Sequence, residues 1–217
     1  MLSKIFPPGV PLCKRLFDLS LSLPLLILIS PLLALIALTV LIVHGWPILF
    51  RQKRTGYRMR SFKVTKFRTM TEAHDNQGNL LPDSQRITAL GRFLRLTSLD
   101  ELPEMFQVLA GDMSLIGPRP LMDRYRDRYS PEQARRFEVL PGITGWAQIN
   151  GRNVLTWEDK FQLDVWYVDN WSFRLDVKIL LQTIWKVVKR EGISQPGHAT
   201  AEEFMGSNTN LADEARE

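Results

Sequence analysis

A helix-rich α+β fold carrying an apolar N-terminal membrane segment is the fold class this sequence predicts, on three observations. Residues 19–43, LSLSLPLLILISPLLALIALTVLIV, hold no charge and are long enough to enter or cross a bilayer. Beyond them, apolar residues recur at helical spacing behind capping signals, whereas strand-like alternation is confined to one short region. The 217 residues suit one compact domain with a core of its own. Lys and Arg number 28 against 23 Asp and Glu, a formal charge of +5, which favours an anionic partner without naming it. Cys13 is the only cysteine, so no intramolecular disulfide forms, and no Cys/His cluster has zinc spacing. The folded part is expected to face the cytosol.

The apolar segment begins too far in, and lacks the small-residue cleavage site, for a secretory signal, so it is expected to be retained. Pro24 and Pro31 each remove a backbone donor, and Ser30-Pro31 falls near the middle of the run, where a bend is plausible. Lys14 and Arg15 flank one end and Arg51, Lys53 and Arg54 the other, so the positive-inside rule gives no polarity. Two topologies fit: a kinked spanning helix, or a helix that enters, bends and returns to the same face.

After the segment, residues 47–70 alternate apolar and basic side chains around Thr55-Gly56, as two strands joined by a turn would. Arg51, Lys53, Arg54, Lys63, Lys66 and Arg68 would line a positive surface. Residues 71–85 read as a polar surface loop. Helical signals follow over 87–96 and from about Asp100 to a stop at Gly111. Ser130, Pro131 and Gln133 form a capping box ahead of Pro141-Gly142; Thr156 caps one later helix and Ser172 another, in which Leu175, Ile179, Ile184 and Val188 recur at helical spacing. Trp157, Trp166, Tyr167, Trp171 and Trp185 crowd these helices, suited either to a core or to a membrane interface. The tail after Gly206 is polar and acidic and is expected to be disordered.

Two adjacent carboxylates, Asp100 and Glu101, stand in LTSLDELPEMF. A local explanation suffices for them: with Ser98 as N-cap, Glu101 completes a capping box and both acids complement the helix dipole. Their neighbours point further. Arg92 and Arg95 precede them, and GDMSLIGPRPL sets Arg119 between two prolines, a stiff loop suited to gripping phosphate. LPGITGWAQINGRN gathers Gly142, Gly145 and Gly151 around Gln148, Asn150 and Arg152, as where backbone approaches a ligand closely. Two acids, several arginines and a helix start suit a phosphoanhydride with a divalent metal. An ionised carboxylate can attack phosphorus without a general base once cations neutralise the crowded charge. Neither a G-x-x-x-x-G-K-[ST] loop nor a G-x-G-x-x-G fingerprint occurs.

KRLFDLSLSLPLLILISPLLALIAL, FRQKRTGYRMRSFKVTKFRTM, RLTSLDELPEMFQVLAGDMSLIGPRPL and RFEVLPGITGWAQINGRN, in that order, closely resemble the bacterial sugar transferases, the monotopic phosphoglycosyl transferases, and specifically a short member made of the catalytic domain alone. The resemblance implies transfer of a sugar phosphate from a UDP-sugar to polyprenol phosphate, with release of UMP, at the cytoplasmic face of the bacterial inner membrane. It implies that Asp100 is the nucleophile that forms a covalent phosphosugar intermediate and sits at Mg²⁺, with Glu101 as its catalytic partner. It places Arg95 and Arg119 near the phosphates and makes Ser30-Pro31 the bend of a re-entrant helix hairpin. Lys66, Gln148 and Arg152 complete the expected substrate-binding set. Residues 1–46 would be the N-terminal segment and re-entrant helix, 47–206 a cytosolic catalytic domain of short strands and amphipathic interfacial helices, and 207–217 the disordered tail. The ending GISQPGHATAEEFMG resembles small members acting on UDP-diacetylbacillosamine, so an N-acetylated sugar is expected. A non-catalytic nucleotide-sugar sensor or assembly scaffold is the alternative. A nucleic-acid-binding membrane protein is disfavoured, because it gives the Asp-Glu pair no reason to sit among arginines.

Overall fold

The computed structural model describes residues 2–151, 155–189 and 203–206. After a short α1 (Leu2–Ile5), the apolar segment forms one 33-residue helix, α2 (Leu12–His44), that contains both Pro24 and Pro31. Pro31 has no N–H to offer the carbonyl of Ile27, and the Ser30 hydroxyl donates to that carbonyl instead, at 2.8 Å. The chain therefore stays helical through the expected break. Much of the helix is bare, with Ile27, Leu28, Leu35 and Ile42 all more than half exposed.

Its two ends, by contrast, are both packed on the globular part. At the N-terminal end, Lys14 donates to Asp176 (2.7 Å) and to the carbonyl of Ile116 (2.9 Å), and Arg15 donates to Asp18 (3.2 Å) and the carbonyls of Val108 (2.9 Å) and Met113 (3.3 Å). Asp18 in turn accepts from Ser114 and the Leu115 N–H. Lys14 and Arg15, which flank the apolar run in the sequence, are buried, with their donors spent inside the protein. At the other end, Ile36 and Val40 join Phe67 and Leu94 in a core cluster.

Strands β1 (Leu49–Thr55) and β2 (Ser61–Phe67) form the expected antiparallel hairpin, in a register that pairs Leu49 with Phe67 and Thr55 with Ser61. The connection is longer than a tight Thr55-Gly56 turn: it runs through a 3₁₀ turn, Tyr57–Met59, with Arg58 and Met59 left-handed. A single helical turn, α3 (Asp83–Arg86), interrupts the polar loop. Helix α4 (Ala89–Leu96) follows, its N-cap Thr88 accepting from the Gly91 N–H. It lies directly on the chain just beyond β2, since a Cβ at Gly91 would stand 1.9 Å from the Thr69 carbonyl oxygen. Then come a 3₁₀ helix (Leu99–Glu104) and α5 (Met105–Ala110), closed by Gly111 at φ +87°.

Two three-residue strands not anticipated from sequence, β3 (Ser114–Ile116) and β4 (Gly142–Thr144), pair in parallel. Between them lie a 3₁₀ helix (Asp123–Arg128) and α6 (Pro131–Ala134), which has the expected capping box of Ser130 and Gln133. Helix α7 (Trp146–Asn150) leads toward α8 (Trp157–Asp169) and α9 (Phe173–Lys189). Thr156 and Asp159 form a full capping box on α8, and the Ser172 hydroxyl accepts from the Leu175 N–H. Tyr167 and Ile179 are core, Trp157 belongs to an aromatic cluster with Tyr125, Phe161 and Phe204, and Trp166 and Trp185 stay exposed. The aromatic crowd is thus divided between core and surface.

Candidate active site

Ser98 sits at φ +55°, a left-handed conformation uncommon outside glycine and its polar substitutes, and it turns the chain from α4 into the 3₁₀ helix of Asp100 and Glu101. Its hydroxyl makes no capping bond, so the S-x-x-E capping box suggested by the sequence does not form. Glu101 is used elsewhere. It accepts from Lys66 Nζ at 2.6 Å, and its two oxygens receive the guanidinium of Arg119, one of them at 3.3 Å. Lys66 also reaches Glu104, 3.2 Å away. Three segments far apart in sequence, β2, the 3₁₀ helix and the Pro-Arg-Pro loop, thereby meet at one carboxylate.

The neighbouring acids receive opposite treatment. Burial, reinforced by the charge of Glu101, pushes the Asp100 carboxyl up to about 6, with Lys66, Arg95 and Arg119 only partly offsetting it. Burial would also raise Glu101, but Arg119 and Lys66 outweigh it and hold this carboxyl well below the usual range. Arg119 is stabilised as a cation in return. Such a divergence between adjacent acids separates their roles. Glu101 is a permanent anion that collects cations, while Asp100 is a buried carboxylate whose negative charge is under-compensated.

Arg95 reaches the edge of the cluster, its Nε donating to Thr69 at 3.1 Å and its charge acting on Asp100. Two participants were missed as site residues in the sequence. Glu104, buried at 3% exposure, is raised by burial despite Lys66, and its spacing from Glu101 was the available signal. Arg54, noted only as part of a basic surface, donates to the Pro120 carbonyl, and burial with the adjacent Arg119 lowers it to about 10.

Gln148 is placed differently. Its side-chain amide is buried with neither atom hydrogen-bonded, beside the backbone of Gly145, and nothing brings it against Asp100. Arg152 lies outside the described residues. The glycines around Gln148 serve backbone packing: a Cβ at Gly142 or Gly145 would come within 2.1 Å of the Gly117 backbone. They let β4 and α7 press against the chain that leads into Pro118-Arg119-Pro120.

Among the described residues, no group of three or more His, Cys, Asp or Glu converges as a metal cage. Magnesium seldom needs one, since it commonly uses one or two carboxylates and completes its shell with water and substrate phosphate. A single under-compensated carboxylate beside arginines fits that mode.

Residues 10–190 match the family described as bacterial sugar transferase. The chain is 55% identical over 194 residues to the "Uncharacterized sugar transferase EpsL" of Bacillus subtilis, covering 89% of this chain and 96% of that protein. It is 43% identical over 183 residues to the "UDP-glucose:undecaprenyl-phosphate glucose-1-phosphate transferase" of Klebsiella pneumoniae, and 38% over 196 residues to the "UDP-galactose-lipid carrier transferase" of Erwinia amylovora. These alignments cover 80% and 82% of this chain but only 39% and 41% of the two relatives, so the chain spans about two fifths of their length. With four fifths of its sequence inside the family match and its carboxylates and arginines assembled in one cluster, the chain belongs to the bacterial sugar transferase family.

Proposed function

We propose that this protein transfers a sugar phosphate from a UDP-sugar to polyprenol phosphate through a covalent intermediate on Asp100. The observation that carries the reading is the unequal carboxylate pair: Glu101 neutralised by Lys66 and Arg119, Asp100 buried and poorly neutralised beside it. A carboxylate oxygen of Asp100 attacks the phosphorus that bears the sugar. The bond from that phosphorus to the bridging oxygen breaks, and UMP departs with the oxygen and its electron pair. A phosphate oxygen of the polyprenol phosphate then attacks the same phosphorus, the aspartyl–phosphorus bond breaks, and the Asp100 carboxylate is restored with a polyprenyl diphosphate sugar as product.

Glu101 orients Lys66 and Arg119 before substrate arrives, and the incoming diphosphate offers both cations stronger acceptors without a large rearrangement. Arg95 acts on Asp100, and Arg54 on Glu101 and Glu104, as further positive charges at the cluster. Asp100 would hold magnesium together with phosphate oxygens of the substrate, which would supply the positive charge that the protein withholds from this carboxylate.

The same reading places α2 in one leaflet as a re-entrant hairpin and the globular part on the cytoplasmic face of the inner membrane. Ser30-Pro31 lies near the middle of the apolar run, and both ends of α2 are engaged by the same small domain. A straight 33-residue helix would extend about 50 Å, which makes that shared engagement hard to meet without a bend. Exposed apolar side chains on other elements, including Trp46, Phe93, Phe106, Leu181 and Trp185, suit the membrane interface. A domain held at that depth meets the phosphate of a lipid whose tail stays in the bilayer.

The test is UMP release by detergent-solubilised protein with magnesium and a panel of UDP-sugars, including glucose, galactose and N-acetylated and diacetylated amino sugars. Without polyprenol phosphate, one substrate is expected to give at most one UMP per protein. With the lipid, turnover should become continuous. Folded wild-type protein that releases no UMP from any of them would overturn the transferase reading in favour of a sensor or scaffold.

A further inference from the structure

Outside the carboxylate cluster lies a buried ion pair that the proposed chemistry does not use. Arg136 follows α6 and Asp164 sits on α8, and each is only 3% exposed. Arg136 donates through Nε (3.1 Å) and Nη2 (2.7 Å) to the same Asp164 oxygen. Its guanidinium also lies over the rings of Phe137 and Phe161, at 5.4 and 5.5 Å from their centroids. Taking two charges out of water is costly, and apolar residues could have joined these elements at least as well. The pair has a third partner that apolar residues could not replace: Nη2 of Arg136 also donates to the backbone carbonyl of Arg119, at 2.8 Å.

That carbonyl belongs to a loop with few other means of attachment. Pro118 and Pro120 have no N–H, so the loop is fixed chiefly through its carbonyls. Each of the three is held: Pro118 by the Gly142 N–H at 3.0 Å, Arg119 by Arg136, and Pro120 by Arg54 at 3.4 Å. The middle one carries the side chain that grips Glu101, and its donor is locked by Asp164 on one edge and by two aromatic faces.

We infer that Arg136, clamped by Asp164, is a positioning residue that sets the backbone of Arg119 and so delivers its guanidinium to the Glu101 side of the reaction centre. The inference rests on the transferase reading for its catalytic consequence, but its structural content can be tested apart from it. A pair that only fastened α8 to the fold would lower stability and leave each folded molecule equally active. A positioning pair changes what each folded molecule does.

The experiment compares wild type with Asp164→Asn and Arg136→Lys by two readouts, each normalised to the folded fraction from thermal melting. The first is the rate at which phenylglyoxal modifies Arg119, followed by peptide mass spectrometry. The second is kcat and KM for UMP release with the UDP-sugar that wild type uses. Asp164→Asn is expected to speed labelling of Arg119 by roughly fivefold or more, as for residues coupled through a shared partner. It is expected to lower kcat by about 100-fold with a smaller change in KM, the scale of a slight misplacement of a reacting constellation. Arg136→Lys keeps the charge but loses the planar fork, and should fall between the two. Unchanged labelling and unchanged kcat in folded Asp164→Asn would overturn the inference. Should wild type release no UMP, the labelling still decides whether Arg136 sets Arg119, and only the transferase reading falls.

Discussion

Asp100 and Glu101 differ by one position and one methylene, yet the fold sets their ionisation in opposite directions, and substitution should expose this. Asp100 titrates near 6 in the folded protein against 3.8 in an unfolded chain, so between those pH values the fold keeps a proton that the unfolded chain has released. Its contribution to stability therefore falls as pH rises through that window. Asp100→Asn is expected to abolish UMP release while stabilising the magnesium-free protein at pH 7.5 by roughly 1–3 kcal/mol, a gain that vanishes below pH 4. Thermal melting at the two pH values checks it, and a variant less stable than wild type at pH 7.5 would sink the assignment of a destabilising buried charge. Glu101 runs the other way: its depressed folded value stabilises above the normal carboxylate range and is lost on acidification. Glu101→Gln should cost about 1–2 kcal/mol at pH 7.5, discounted because Arg119 is partly exposed, and should slow the UMP burst. On the proposed mechanism only the Asp100 carboxylate attacks, so the wild-type burst rate is expected to rise about tenfold per pH unit at acid pH and to flatten once Asp100 is ionised, below the metal-free value of about 6 because bound magnesium would favour the carboxylate.

Elements whose signals are local were legible in the sequence. The capping box at Ser130, the cap at Thr156, the stop at Gly111 and the β1–β2 hairpin each rest on contacts between near neighbours and appear as expected, and the apolar run is helical but continues unbroken through Ser30-Pro31. The β3–β4 pair was not legible, because two three-residue strands joined through backbone alone leave almost no pattern in side-chain chemistry. The glycine cluster misled for a related reason: close backbone approach is equally needed against a ligand or against Gly117, and composition does not say which. The burial of Lys14 and Arg15 was not legible, because the partners that take their charges lie about 100 residues further along the chain. At the site, Asp100, Glu101, Lys66, Arg95 and Arg119 could be picked out, whereas Glu104 and Arg54 became visible only when the segments met. Two element-scale expectations follow. Gly91→Ala must separate α4 from Thr69, and should destabilise by about 2–3 kcal/mol or more, read by thermal melting. Ser30-Pro31 replaced by Ala-Ala restores the missing helical donor and should favour a spanning helix. Cys13, exposed near the start of α2, reports this by impermeant maleimide labelling: protected in intact spheroplasts for the wild type, reactive in the replacement. Equal protection in both would remove the role assigned to the bend.

At the scale of the whole molecule, the proposed mechanism assigns the carboxylate cluster and the exposed apolar surface different parts in two half-reactions. On that mechanism, attack on the UDP-sugar would involve a soluble substrate, whereas the second step would need the domain seated at a depth where a lipid phosphate can reach Asp100. On α9, Leu181, Ile184 and Trp185 form an exposed i, i+3, i+4 face, each more than half exposed, while Ile179 on another face of the helix is fully buried. A face of that composition is stabilised by transfer to the membrane interface, at roughly 1.5–3 kcal/mol for each large side chain fully withdrawn from water. Replacing Ile184 and Trp185 together by Asp removes that transfer without touching the carboxylate cluster. The double variant is therefore expected to keep the single UMP burst seen without lipid. Its continuous turnover on polyprenol phosphate in bilayer nanodiscs should fall about tenfold or more, since each 1.4 kcal/mol of lost seating is a factor of ten. Adding detergent, which brings the lipid phosphate to the protein in mixed micelles, should restore most of the loss. A burst and a turnover that decline together would show instead that this face supports the fold around the active site, and that seating on the membrane is left to α2 alone.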